Sequence, residues 1–273
     1  MKDTVDGLAL WADLRAKSPL VLSVTNLVVT QWTANVLLAL GASPIMTHAV
    51  EELDALVGIS NAVSINIGTL DAAWVTSMRA AVGAAGRHGR PWVLDPVGAG
   101  ASAYRTETSL ELLAQRPALV RSNLGEALAL LGETGVTRGV DSGIEAQERA
   151  VVEVARAVAR RFSTVAVVTG ARDVVSDGDR TFVTEGTGVP QVTRITGTGC
   201  ALSATCAAFL GAGQPPIFAG AAACSVFKAV ATNAASRGVG LGTLAVALLD
   251  ALSEGPSLER GPARALPWAS EVA

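Results

Sequence analysis

The chain has 273 residues, half of them hydrophobic and 16% charged, with a net charge of −3. That is enough apolar material for a sizeable core, and it excludes a disordered chain. The absence of any Lys/Arg block excludes the electrostatic footprint expected for nucleic acid or an anionic membrane surface, so neither is an expected partner.

Three cysteines (Cys200, Cys206, Cys224) and two histidines (His48, His88), with no Cys-x-x-Cys spacing, suggest neither a disulfide framework nor a zinc site. The polar, acidic start Met-Lys-Asp-Thr-Val-Asp argues against a secretory signal, and runs such as Leu241 to Leu252 are too short to span a bilayer. A reducing cytoplasm is the expected location.

In chain order, residues 7–16 pattern as an amphipathic helix with Leu8, Leu10, Trp11 and Leu14 on one side. Pro19 to Val24 is a short strand ending at Thr25-Asn26. Gln31 to Leu40 is helical and stops at Gly41, a natural C-cap. Ser43 to Met46 is a second strand leading to Thr47-His48, and Glu51 to Val57 a short helix. Ala62 to Asn66 is a third strand running into Ile67-Gly68-Thr69, and 71–87 an alanine-rich helix. Trp92 to Leu94 is a fourth strand opening into Asp95-Pro96-Val97-Gly98-Ala99-Gly100. Leu119 to Ser122 is a fifth, followed by helices over 124–131 and 145–161, and Val165 to Val168 is a sixth, ending at Thr169-Gly170. Asp173 to Ser176 and Arg180 to Val183 flank Asp177-Gly178-Asp179, a hairpin signal. Helices are then expected over 200–211, 216–236 and 241–253.

Strands alternating with helices predict an α/β fold, with helices on both faces of a mostly parallel sheet. The late hairpin predicts an antiparallel edge. Without repeats or a linker the chain is expected to form one domain over 1–273, with a Pro- and Gly-containing surface tail over 254–273.

In such sheets ligands lie beyond the carboxyl ends of the strands. Here those ends carry Asn26, Met46, Gly68, Asp95, Arg121 and Thr169. Thr196-Gly197-Thr198-Gly199-Cys200 reads as a tight turn opening a helix, where free N–H groups and the helix dipole suit a phosphate. The alternative is a turn with no ligand and an inert Cys200. Asp95 either holds Mg²⁺ at the crevice or caps a turn. Asn123 and Glu126 have capping-box spacing, which requires no function, or Glu126 stands near magnesium and phosphates. Arg121 suits a nucleotide phosphate or is a surface arginine, and Thr169 contacts a nucleotide or ends its strand.

These motifs, with Val24-Thr25-Asn26, Asn35 to Met46, Asn66 to Leu70 and Arg121 to Glu126, make the chain resemble the hydroxyethylthiazole kinase family from about Val21 to about Leu210. The resemblance implies a ribokinase-like three-layer αβα fold. It implies ATP-dependent phosphorylation of the hydroxyl of 4-methyl-5-(2-hydroxyethyl)thiazole, giving its phosphate and ADP in thiamin salvage. It further implies that Asn26, Met46, Gly68 and Gly197 line the substrate site, and that Arg121 and Thr169 contact ATP. Gly197, Thr198, Gly199 and Cys200 form the catalytic turn, and Asp95 and Glu126 organise Mg²⁺. It also implies a homotrimer with active sites between subunits. A side chain at Gly197 is expected to fill the space of the transferred phosphoryl group. The wider ribokinase-like kinases end this turn with Asp as base; here it ends with Cys200, so the turn and Mg²⁺ are expected to carry most of the rate. The competing readings are a kinase of hydroxymethylpyrimidine or pyridoxal, an ATP-dependent dehydratase of hydrated nicotinamide nucleotides, and a binding protein without turnover.

Overall fold

Alternation along each interior strand divides the core in two. Val21, Ala62, Val93, Leu119 and Val167 pack on one side of the sheet, while Leu22, Val63, Leu94, Val120 and Val168 pack on the other. Each strand therefore needs a helical layer on both faces, which is why these strands are mostly apolar at successive positions. The computed structural model describes residues 4–133, 144–184, 189–238, 240–257 and 268–272.

The elements run β1 (Thr4–Asp6), α1 (Gly7–Lys17), β2 (Leu20–Val24), α2 (Thr30–Leu40), β3 (Ser43–Met46), α3 (Val50–Ile59), β4 (Ala62–Asn66), α4 (Ala72–His88) and β5 (Trp92–Asp95). They continue with α5 (Ala103–Leu113), β6 (Leu119–Asn123), α6 (Leu124–Leu131), α7 (Ile144–Phe162), β7 (Val165–Thr169), β8 (Val174–Ser176), β9 (Thr181–Thr184), α8 (Thr198–Gly211), α9 (Pro216–Ser236), α10 (Leu241–Glu254) and β10 (Trp268–Glu271). Among the described residues the sheet order is β1-β10-β9-β8-β7-β6-β5-β4-β2-β3. Strands β2 to β7 are mutually parallel and the remainder antiparallel. Helices α1, α2, α8, α9 and α10 cover one face and α3 to α7 the other, the three layers expected.

Two expectations need correction. The β8–β9 hairpin forms, but it is not the edge. Nor is 254–273 a surface tail throughout, because Trp268–Glu271 pairs antiparallel with β9 (Ala269 opposite Thr184) and is itself covered by β1. The outer N–H and C=O groups of β9 need partners, and the returning chain supplies them. A four-residue strand and a three-residue one carry too little periodicity to be seen in sequence. Residues 258–267 and 273 of the expected tail lie outside the described residues. Helix α5, also unexpected, is N-capped by Ser102, whose hydroxyl accepts the Arg105 N–H at 3.3 Å.

Helix α9 is long and apolar enough to cross a membrane, but it is a core helix. Its Gly220 lies so close to the sheet that a Cβ there would meet Val167 and Val175 side chains at 2.9 Å. Helix α8, buried from Ala201 to Leu210, crosses β2, β4 and β5 and brings its N-terminus to their carboxyl ends.

Candidate active site

The strand order changes direction between β2 and β4, since β3 lies outside β2 while β5, β6 and β7 continue on the other side. A crevice is expected at that point. There Asn26, following β2, and Asn66, ending β4, meet: Asn26 Nδ2 donates to Asn66 Oδ1 at 2.8 Å and to Cys200 Sγ at 3.6 Å. Asn66 Nδ2 donates to Asp95 Oδ2 at 2.8 Å, and the Ser203 hydroxyl reaches the same oxygen at 2.8 Å. One chain of hydrogen bonds thus joins β2, β4, β5 and the start of α8. Ser203 stands one helical turn beyond Gly199 and ties α8 in register to Asp95.

Asp95 is fully buried, and its Oδ1 has no hydrogen-bond partner. Burial pushes its carboxyl from 3.8 up to about 6; the Arg121 guanidinium opposes the shift and the Glu126 charge adds to it. An orphaned carboxylate oxygen at a strand end fits a hard cation or its water. Mg²⁺ commonly takes one or two protein carboxylates and completes its shell with phosphates and water. Among the described residues no group of three His, Cys, Asp or Glu converges to hold a metal; the Glu126 charge reaches Asp95, which makes it a second candidate oxygen donor. Glu126 also has a structural duty. The capping box with Asn123 forms, Glu126 Oε2 accepting the Asn123 N–H at 2.9 Å, while Oε1 accepts the Gly98 N–H at 2.9 Å. Glu126 thereby clamps the loop after Asp95 to the start of α6, and the second lone pair on each oxygen remains for a cation.

The two glycines of the turn have different reasons. Gly197 takes φ +87°, a left-handed conformation that glycine adopts without penalty, and caps α8 without a side-chain hydrogen bond. Gly199 yields space: a Cβ there would fall 2.6 Å from Arg121 Nη1. Arg121 is therefore packed under the turn. It donates through Nη2 to Thr169 Oγ1 at 2.6 Å, and its Nε is buried without a partner.

Arg121, Thr169, Thr198 and Gly199 line one recess, toward β6 and β7. Met46 lines a separate recess on the β2–β3 side with Ser23, Leu27, His48 and Trp74. Gly68 adjoins it through Asn26, since a Cβ on Gly68 would lie 2.6 Å from Asn26 Nδ2. The N-terminus of α8 lines the first recess through Thr198 and Gly199, and through Cys200 it meets Asn26, whose neighbours Thr25 and Leu27 line the second.

Cys200 is half-buried. Burial, then the nearby Asp95 charge, pushes its thiol from 9.0 up to about 11, against the pull of amide hydrogen bonds from Asn66 and Asn26. It is a neutral thiol at physiological pH.

Sequence reasoning missed Asn66 and Ser203 as site residues, and the Trp74 contacts. The His48 ring stacks on Trp74 with centroids 4.1 Å apart, and Trp74 Nε1 donates to Thr25 O at 2.9 Å, pinning the loop before Asn26. Asn66 had a visible signal, a polar residue at an apolar strand's carboxyl end; Ser203 had none.

The same region is shared with known proteins. The model of the hydroxyethylthiazole kinase family matches residues 11–256. The hydroxyethylthiazole kinase of Pyrococcus furiosus is 48% identical over 239 residues, 88% of this chain and 89% of that one. The solved hydroxyethylthiazole kinase structure from Pyrococcus horikoshii superposes with a TM-score of 0.87 at 40% identity, covering 98% of this chain and 99% of that one. Pyridoxal kinase from Staphylococcus aureus, in complex with ADP, has a TM-score of 0.59 at 18% identity, covering 78% and 87%, a likeness of fold alone and in keeping with the ribokinase-like architecture. Agreement this extensive, from α1 through the Gly-x-Gly turn to the end of α10, means that the chain belongs to the hydroxyethylthiazole kinase family and is a kinase.

Proposed function

We propose that the chain transfers the γ-phosphoryl group of ATP to the hydroxyl of hydroxyethylthiazole, in thiamin salvage in the cytoplasm. The observation that carries this is the α8 N-terminus, free of a side-chain cap, which lines the Arg121 recess, meets Asn26 through Cys200 and is tied to Asp95 through Ser203. ATP occupies the Arg121–Thr169 side and the thiazole the Met46 side, near Asn26 and Gly68. The N–H groups of Thr198, Gly199 and Cys200 receive the charge that develops on the migrating group. Mg²⁺, when bound at Asp95 and Glu126, neutralises the nucleotide phosphates. Arg121, fixed by Thr169 and by the turn itself, orients the nucleotide. Asn26 holds Cys200 at the acceptor side.

The homotrimer remains part of this proposal, and Leu27 and Val28 support a subunit contact at the acceptor side. They follow Asn26 directly and are 68% and 65% exposed, although they are large and apolar. A neighbouring subunit laid over them would close the acceptor recess and bury that surface.

The test is a panel of hydroxyethylthiazole, hydroxymethylpyrimidine, pyridoxal and hydrated nicotinamide nucleotide with Mg-ATP, read by product mass. Phosphorylated thiazole as the dominant product is expected. Preference for another alcohol, loss of water from the nucleotide, or binding without turnover would replace the reading.

The neutral thiol leads to a further expectation. Removal of a general base costs roughly 10²- to 10⁴-fold, so Cys200→Ser is expected to reduce kcat by less than about tenfold. The wild-type kcat should also show no thiolate titration between about pH 7 and about pH 9, because the Cys200 thiol stays protonated there. A larger loss together with a rise in kcat over that range would make Cys200 the base.

A further inference from the structure

Lys228, on α9, is a buried cation that the reading above does not use. Only 8% exposed, it lines the recess of Arg121 and Thr169. Its Nζ donates to Ala171 O at 2.8 Å and to Gly170 O at 3.3 Å, and it lies 3.4 Å from Asp173 Oδ2. Asp173, 5% exposed, turns its other oxygen back to accept the Gly170 N–H at 3.0 Å. The ammonium is thus engaged by the protein itself, through two hydrogen bonds to backbone carbonyls and one ion pair.

The pair fixes the turn between β7 and β8. Gly170 is gripped at its N–H by Asp173 and at its carbonyl by Lys228. Asp173 is anchored at its backbone, its N–H donating to Thr184 Oγ1 at 2.9 Å and its carbonyl accepting the Thr184 N–H at 2.9 Å. The residue before Gly170 is Thr169, whose hydroxyl accepts from Arg121 Nη2. Burial of Asp173 by itself disfavours the carboxylate, and Lys228 opposes that. A charge pair kept in a site this dry costs desolvation that an apolar pair would avoid, so a geometric role accounts for it better than stability does.

We propose that Lys228 and Asp173 are positioning residues for the nucleotide: they lock the Thr169–Asp173 turn so that Thr169 holds Arg121 beneath the Gly-x-Gly turn. The inference rests on the nucleotide occupying the Arg121 recess. Removing Lys228 alone would leave Asp173 buried without its cation, so the first test removes both charges, in Lys228→Met/Asp173→Asn. The folded double variant is expected to show a KM for ATP raised about tenfold or more, with the KM for hydroxyethylthiazole within about twofold of wild type. ADP affinity, measured by calorimetry, is expected to fall in parallel.

An unchanged KM for ATP, or an equal rise for both substrates, overturns the proposal, since a merely structural pair would loosen both sites or neither. If the double variant does not melt cooperatively, Lys228→Arg replaces it: the charge stays but the donors point elsewhere, and the KM for ATP alone should rise, with no rise overturning the inference. Absence of ATP-dependent turnover in the wild type would instead refute the kinase assignment of the recess, so the two failures are distinguishable.

Discussion

Gly197→Val is expected to lower kcat by at least about a hundredfold at saturating substrates, with Gly197→Ala in between. Gly197 sits at φ +87°, ψ 1°. Placing an L-residue in the left-handed region costs roughly 1–2 kcal/mol, and a β-branched residue suffers most. Space is short as well. A Cβ there would lie 2.5 Å from Val29 Cγ1 and 3.1 Å from Trp32 Cδ1. A side chain at Gly197 therefore meets the start of α2. Val29 is itself buried, and its carbonyl accepts the Thr33 N–H at 2.8 Å, so it cannot simply swing aside. The 197–200 turn must move, carrying its N–H groups away from the position proposed for the transferred phosphoryl group. A displacement of about 1 Å is enough for a hundredfold loss. Steady-state kinetics on protein shown to be folded by its melting curve is the measurement. Undiminished kcat would remove the turn from the mechanism.

Asp95→Asn separates activity from stability. The substitution keeps the shape but removes the charge facing the proposed cation, and kcat is expected to fall about a hundredfold or more. Stability should respond in another way. Burial raises the Asp95 carboxyl from 3.8 to about 6. The folded chain therefore keeps this proton to about pH 6, while the unfolded chain releases it near 3.8. Stability is highest below the lower value, falls as pH rises through that window and stays lower above it. At about 1.36 kcal/mol per unit the effect is roughly 3 kcal/mol. Asn cannot titrate, so the variant lacks this slope. Urea unfolding at about pH 4.5 and about pH 7.5 in metal-free buffer should show a smaller stability difference for the variant than for the wild type. An equal difference would mean that Asp95 is not the buried titrating group, and retained kcat would mean that it is not the cation's anchor.

Much of this architecture was legible from residue order. The parallel strands were visible because apolar runs such as Pro19 to Val24 and Ala62 to Asn66 end in polar or small groups before a helical pattern begins. Their ends located the crevice, and the capping box of Asn123 and Glu126 followed from spacing alone. The hairpin was marked by Asp177-Gly178. Short-range chemistry of this kind lies within a few residues of chain.

What only the tertiary structure decided are relations between distant segments. Trp268–Glu271 becomes a strand because β9 offers unpaired backbone groups, and nothing in those four residues announces it. Gly199 must be small because of Arg121, which arrives from another strand. Ser203 meets Asp95 across 108 positions of sequence, and Lys228 meets the turn after β7 from 57 positions away. Local patterning records which face a residue shows and where an element stops. The partner it finds there depends on how helices are laid across the sheet, and that is set by packing of the whole core.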